Sequence, residues 1–173
     1  MLGVTASIAA YKSADIIRRL QEKNFKVSVV MTKEAEKFIT ALTLGTLAGE
    51  KVHCEMFDEL DRSWQMSHIT LAQEVDIFLI APATANIIGK IAHGLADDLL
   101  TCTALATKAP ILIAPAMNDD MYNNKIVQDN ISKLKKTGVH FIEPVKGRLA
   151  CGVTGDGHLA DVDDIVKAVM RAV

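Results

Sequence analysis

A strong excess of either charge is missing from this chain. Its 173 residues carry a formal charge of −2, which gives no reason to expect nucleic acid or an anionic membrane as partner. Long apolar runs are missing as well: none approaches the roughly 20 residues needed to cross a bilayer. The start of the chain lacks the basic stretch followed by an apolar core that marks a secretory signal. Cysteine is scarce. Cys54, Cys102 and Cys151 are odd in number and scattered, which suits a reducing cytoplasm better than a disulfide framework. Without Cys-x-x-Cys or His-x-x-x-His spacing, no metal site is expected. Neither a Rossmann glycine fingerprint nor a P-loop occurs, which lowers the odds on a dinucleotide or a nucleoside triphosphate. No linker or low-complexity tract interrupts the chain, so a single domain over 1–173 is expected.

What is present is an ordinary globular composition, 50% apolar and 23% charged, arranged as strands alternating with helices. Val75–Ile80 is a short β-branched, aromatic and aliphatic run, as suits a strand covered on both faces. Ala81-Pro82-Ala83-Thr84-Ala85-Asn86 then breaks the run. The grammar repeats at Pro110–Ala114, followed by Pro115-Ala116-Met117-Asn118. Further strands are expected over Met1–Thr5, Phe25–Met31 and Val139–Ile142, with Val52–Phe57 a strand or an irregular edge. Helices are expected after Ser7 or Ser13, after Thr32 as a cap, and over Thr40–Glu50 and His68–Glu74. Others are expected over Asn86–His93, Asp97–Lys108 and about Asn123–Thr137, with a last one starting at Asp161 or Asp163. Glu55–Ser67 reads as a mobile loop, and 147–158 as a glycine-rich loop around Cys151. The alternation predicts an α/β fold, a doubly wound parallel sheet in three α/β/α layers.

In such sheets ligands sit beyond the carboxyl ends of the strands, which puts Thr84, Asn86 and Asn118 along one binding edge. The turn Thr5–Ala10 has backbone N–H groups and a Ser hydroxyl suited to phosphate, although a plain cap is the commoner meaning. Cys151 sits among glycines, where a proton-donating thiol is more credible than a buried one; Cys54 and Cys102 read as structural. His68 stands out among the five histidines because the start of a helix favours a neutral, base-competent ring. His158, closing the glycine loop, is ambiguous.

Five motifs in order carry a resemblance: Gly3–Lys12, His68-Ile69, Ala81–Asn86 with Gly94–Leu100, Pro115–Tyr122, and Ala150-Cys151-Gly152. Along nearly its whole length the chain resembles the flavin-dependent cysteine decarboxylases, most of all the phosphopantothenoylcysteine decarboxylases of coenzyme A biosynthesis. The resemblance implies a flavodoxin-like fold, a cytoplasmic homo-oligomer (a trimer, or a dodecamer built from trimers) and FMN held between subunits. It implies FMN contacts at Ala6, Ser7, Ile8, Thr32, Thr84, Ala85, Asn86 and Ala116. Substrate contacts are implied at Met117, Asn118 and Ala150, and catalytic roles for His68 and Cys151. The implied reaction converts 4′-phosphopantothenoylcysteine to 4′-phosphopantetheine through a thioaldehyde and an enethiolate, with Cys151 donating the last proton. A separate phosphopantothenate–cysteine ligase is an implied partner. The chain departs from the family pattern with Ala6 for Gly, Tyr122 for Trp and His158 for Arg. The rival readings are a decarboxylase of a peptide's C-terminal cysteine, a flavin prenyltransferase, which would lack the Ala-Cys-Gly segment, and a non-catalytic flavoprotein regulator.

Overall fold

The computed structural model describes residues 1–56, 67–148, 152 and 154–173. Five parallel strands form the central sheet: β1 (Leu2–Val4), β2 (Val29–Met31), β3 (Phe78–Ala83), β4 (Ile111–Pro115) and β5 (His140–Phe141), in the order β2-β1-β3-β4-β5. This is the flavodoxin-like order. The strands alternate with α1 (Ser13–Gln21), α2 (Ala41–Ala48), α3 (Ser67–Glu74), α4 (Ala85–Ala92), α5 (Leu99–Ala106), α6 (Asp119–Asn123) and α7 (Lys125–Lys136). A two-stranded antiparallel hairpin, β6 (Val145–Arg148) and β7 (Thr154–His158), precedes the closing helix α8 (Val162–Ala172).

Side chains alternate across a strand, so a sheet covered twice needs both sets apolar. On one face Leu79, Ala81, Leu112 and Ala114 pack with Ile16, Ile17 and Leu20 of α1 and Ile165, Val166 and Val169 of α8. On the other, Phe78, Ile80, Ala83 and Ile113 pack with Ile87, Ile88 and Ile91 of α4, Leu99 and Leu100 of α5, and Ile131 and Leu134 of α7. Each such Leu, Ile, Val or Phe side chain contributes roughly 1.5–3 kcal/mol when taken from water. The three expected layers are therefore present.

Several boundaries differ from expectation. β3 starts at Phe78 rather than Val75 and continues through Ala81-Pro82-Ala83, which the sequence places beyond the strand. Pro82 has no N–H to give, so the β3–β4 register shifts between Ile80 and Ala83. The Pro82 carbonyl accepts instead from the buried Thr5 hydroxyl at 2.8 Å. β2 is confined to Val29–Met31 because its partner β1 offers only three residues, Leu2–Val4. Of the expected Val52–Phe57 strand, His53 alone pairs, bridging to Val30, and Phe57 lies outside the described residues. The helix expected over about 123–137 is α7, which starts at Lys125 because Asn124 takes extended angles and caps it by accepting from Ile126 N at 2.9 Å. The stretch expected as a loop over 147–158 is largely hairpin. Residues 57–66 of the expected mobile loop lie outside the described residues.

Candidate active site

The carboxyl ends of β1, β2, β3 and β4 open into a cavity of about 770 Å³. It is lined by Ala6, Ser7 and Ile8 after β1, Thr32 after β2, Thr84, Ala85 and Asn86 after β3, and Ala116, Met117 and Asn118 after β4. A smaller cavity of about 500 Å³ lies at the opposite end of the strands, beside Met1, Val27 and Ile77.

Local hydrogen bonding fixes the rim. Ser7 caps a short 3-10 turn, Ile8–Lys12, by accepting from Ala9 N at 3.3 Å. Ser13, the other candidate cap, donates instead to the Ala81 carbonyl at 3.2 Å. Thr84 caps α4, accepting from Ile87 N at 3.4 Å, and its own N–H donates to Thr5 Oγ1 at 3.1 Å. Thr5 thus clamps the turn after β3 to the end of β1. Asn118 caps α6 through Oδ1, which accepts from Met121 N at 3.3 Å, while Nδ2 donates to Asp119 Oδ1 at 3.2 Å. Both ends of the Asn118 amide are thereby oriented.

Thr32 behaves differently from its sequence reading. It stands where a cap belongs, yet its side chain makes no capping bond to the turn Lys33–Lys37. Its Oγ1 is buried and has no hydrogen-bond partner among the described residues. A buried hydroxyl without a partner is costly, so this atom is one that a ligand would satisfy.

Of the other expected site residues, His68 occupies the second position of α3 and is half-buried. It is not among the described residues that line the cavity of its own chain. Ala150 and Cys151 lie outside the described residues; in sequence they fall between β6 and β7. The cavity also gathers side chains that sequence reasoning did not assign to it. Lys12, Glu34, Lys90, Asp98 and Arg148 all line it. Lys12 Nζ lies 3.2 Å from Nε2 of His158, a residue the sequence left ambiguous. Lys12 follows Ser7 by little more than one turn, which was the available signal; Arg148 and His158 arrive only through the hairpin.

Charge in the cavity is partly settled by pairing. Burial lowers the Lys90 pKa, but hydrogen bonds to Asp97 and Asp98 outweigh it and hold the ammonium above its ordinary value. Lys90 Nζ lies 2.7 Å from Asp97 Oδ1 and 3.0 Å from Asp98 Oδ2. Asp98 also caps α5, accepting from Thr101 N at 2.8 Å. The structural reading of Cys54 fits its surroundings: burial and the neighbouring Glu36 push its thiol up to about 12. Burial, with Asp98 and Asp97, raises Cys102 too. Neither forms a ready thiolate at neutral pH. Among the described residues no cluster of three or more His, Cys, Asp or Glu could hold a metal ion, and no helix is long and apolar enough to cross a membrane.

The family described as Flavoprotein matches residues 1–173. The chain belongs to the flavoprotein family. This flavoprotein is 44% identical over 171 residues to a probable phosphopantothenoylcysteine decarboxylase of Streptococcus mutans, covering 98% of this chain and 95% of that protein. It is 45% identical over 167 residues to the coenzyme A biosynthesis bifunctional protein CoaBC of Bacillus subtilis. That match covers 96% of this chain, which spans 41% of the bifunctional relative's length. Among solved structures, a PPC decarboxylase mutant complexed with pantothenoylaminoethenethiol superposes with a TM-score of 0.86 at 32% identity, covering 98% of this chain and 94% of that one. The FMN-dependent cysteine decarboxylase SpaF gives 0.85 at 30% identity, covering 99% and 94%.

A flavin is the cofactor that this family implies, and the residues fit one. The unpartnered Thr32 hydroxyl and the Ser7 turn bring donors to one end of the cavity. The small side chains Ala85 and Ala116 line the same cavity and leave space for a flat ring.

Proposed function

We propose that this flavoprotein is an FMN-dependent decarboxylase that converts 4′-phosphopantothenoylcysteine to 4′-phosphopantetheine in coenzyme A biosynthesis. The observation that carries the reading is the carboxyl-edge cavity, with an unpartnered buried hydroxyl at Thr32 and the oriented amide of Asn118. The names of the relatives from Streptococcus mutans and Bacillus subtilis support it.

When bound, FMN supplies a reversible two-electron acceptor, which a simple cysteine carboxylate lacks for losing CO₂. Ser7, Thr32 and the N–H groups of Ala6 and Ile8 would hold its phosphate and ribityl chain, and Thr84, Ala85, Asn86 and Ala116 would hold its ring. Asn118 Nδ2 donates to the substrate carboxylate and fixes the angle at which it leaves. Met117 and Ala150 complete the substrate wall. His68 takes the thiol proton, and Cys151 Sγ returns a proton to the carbon skeleton.

His68 does not line its own chain's cavity, and the reading assigns it to the cavity of a neighbouring copy. Ile8, Tyr11 and Met121 line the cavity and are 60%, 60% and 49% exposed, an apolar rim suited to a second subunit. On this reading the protein is a homo-oligomer, a trimer or a dodecamer built from trimers, working in the cytoplasm beside a separate ligase.

The test is CO₂ release from 4′-phosphopantothenoylcysteine against release from a peptide ending in cysteine. Turnover of the first alone is expected, with Cys151→Ser retaining FMN but losing 4′-phosphopantetheine formation. Turnover of the peptide alone would replace the substrate assignment, and binding of FMN without turnover of either would leave a non-catalytic flavoprotein.

A further inference from the structure

Lys12 and His158 are 146 positions apart in sequence, yet Lys12 Nζ lies 3.2 Å from His158 Nε2 on the cavity wall. A lysine ammonium has donors and no acceptor, so the imidazole accepts at Nε2 and carries its proton on Nδ1. The ring is seated by what β6 lacks: a β-carbon on Gly147 would stand 3.0 Å from His158 Cγ. Val145, the cross-strand partner of His158, is uncharged. One residue earlier, the Gly157 carbonyl accepts from Met117 N at 3.0 Å. The pair therefore lies at the Asn118 end of the cavity.

Resting on the decarboxylase reading above, we propose that His158 is a positioning residue. Its uncharged imidazole holds the Lys12 ammonium beside Asn118, where Lys12 pairs with the carboxylate of the substrate. The ammonium has further N–H donors to direct at an anion after satisfying His158. Among the described residues, the other charged groups around the pair are Arg148 of β6, which lines the cavity, Asp119 of α6, which packs on Gly155 of β7, and the exposed Asp156. Farther along the cavity Lys90 is paired with Asp97 and Asp98, and Glu34 lies near Thr32 in sequence. Without the His158 acceptor Lys12 loses its anchor, and substrate affinity falls.

Two measurements test this. In the protein without substrate, ¹⁵N NMR should find the His158 ring as the Nδ1–H tautomer, with a resonance that moves in Lys12→Met. Calorimetry with the serine analogue of 4′-phosphopantothenoylcysteine, which keeps the carboxylate but has no thiol to oxidise, should give a Kd for the FMN-loaded protein about tenfold weaker in His158→Ala. FMN affinity should stay unchanged. His158→Gln, a neutral acceptor, should restore the Kd. An Nε2–H ring, an unchanged Kd in His158→Ala, or a Kd as weak in His158→Gln as in His158→Ala would overturn the proposal. Turnover by the wild type together with an Nε2–H ring would sink the proposal and leave the decarboxylase intact. An Nδ1–H ring and His158-dependent substrate binding in a wild type without turnover would do the reverse.

Discussion

Thr32 has a polar atom buried with nothing of the described chain to satisfy it, and this makes the sign of its replacement informative. Thr32→Val keeps the shape and removes an unpaired hydroxyl, so thermal unfolding of the protein without cofactor should occur at the same temperature or higher. FMN affinity should fall about tenfold, the equivalent of one charge-assisted hydrogen bond. A variant that loses stability and binds FMN normally would make Thr32 a structural residue. From sequence, a Thr ahead of a helical turn reads as a cap, and only the folded geometry reveals that its hydroxyl caps nothing. Thr84 and Asn118 were legible because a polar residue after an apolar strand marks the ligand edge and a cap at once. Lys12 with His158 was not, since nothing local records a contact across 146 positions.

At the scale of elements, the sequence gives each buried strand away by its double-sided apolar run but not its ends. The β3 strand runs past Pro82 because Thr5 supplies a partner for the proline carbonyl, and that partner comes from the first strand. The glycines over 147–158 were read as loop, yet two of them allow a hairpin to close on α6 and the end of β4. Gly157 has φ +109, and a β-carbon there would stand 2.5 Å from the Met117 carbonyl oxygen. Gly157→Ala should therefore destabilise the protein by roughly 1–3 kcal/mol, each kcal/mol lowering Tm by about 2–4 °C in a chain of this size. Because Met117 must shift, substrate binding should weaken more than FMN binding, which calorimetry of both ligands would resolve. An unchanged Tm would show that the hairpin yields without cost.

For the whole molecule, the layered α/β/α plan was readable because both faces of the strands are apolar, whereas the proposed assembly was not, because no pattern within one chain says what a neighbour would contribute. The placement of His68 outside its own cavity yields a mixing prediction. His68→Asn and Cys151→Ser proteins should each be inactive. Unfolding and refolding them together should restore activity, since a mixed oligomer contains sites with both wild-type groups. Mixtures as inactive as their parents would place both residues in one subunit's site.

The most direct measurement is a fluorescence titration of the cofactor-free protein with FMN and, separately, with riboflavin, which differs by the phosphate alone. FMN should bind at least about tenfold more tightly, and the advantage should shrink in Thr32→Val. Equal affinity for the two flavins, or no binding of either, would contradict a phosphate seat at the carboxyl edge of the sheet and the chemistry derived from it.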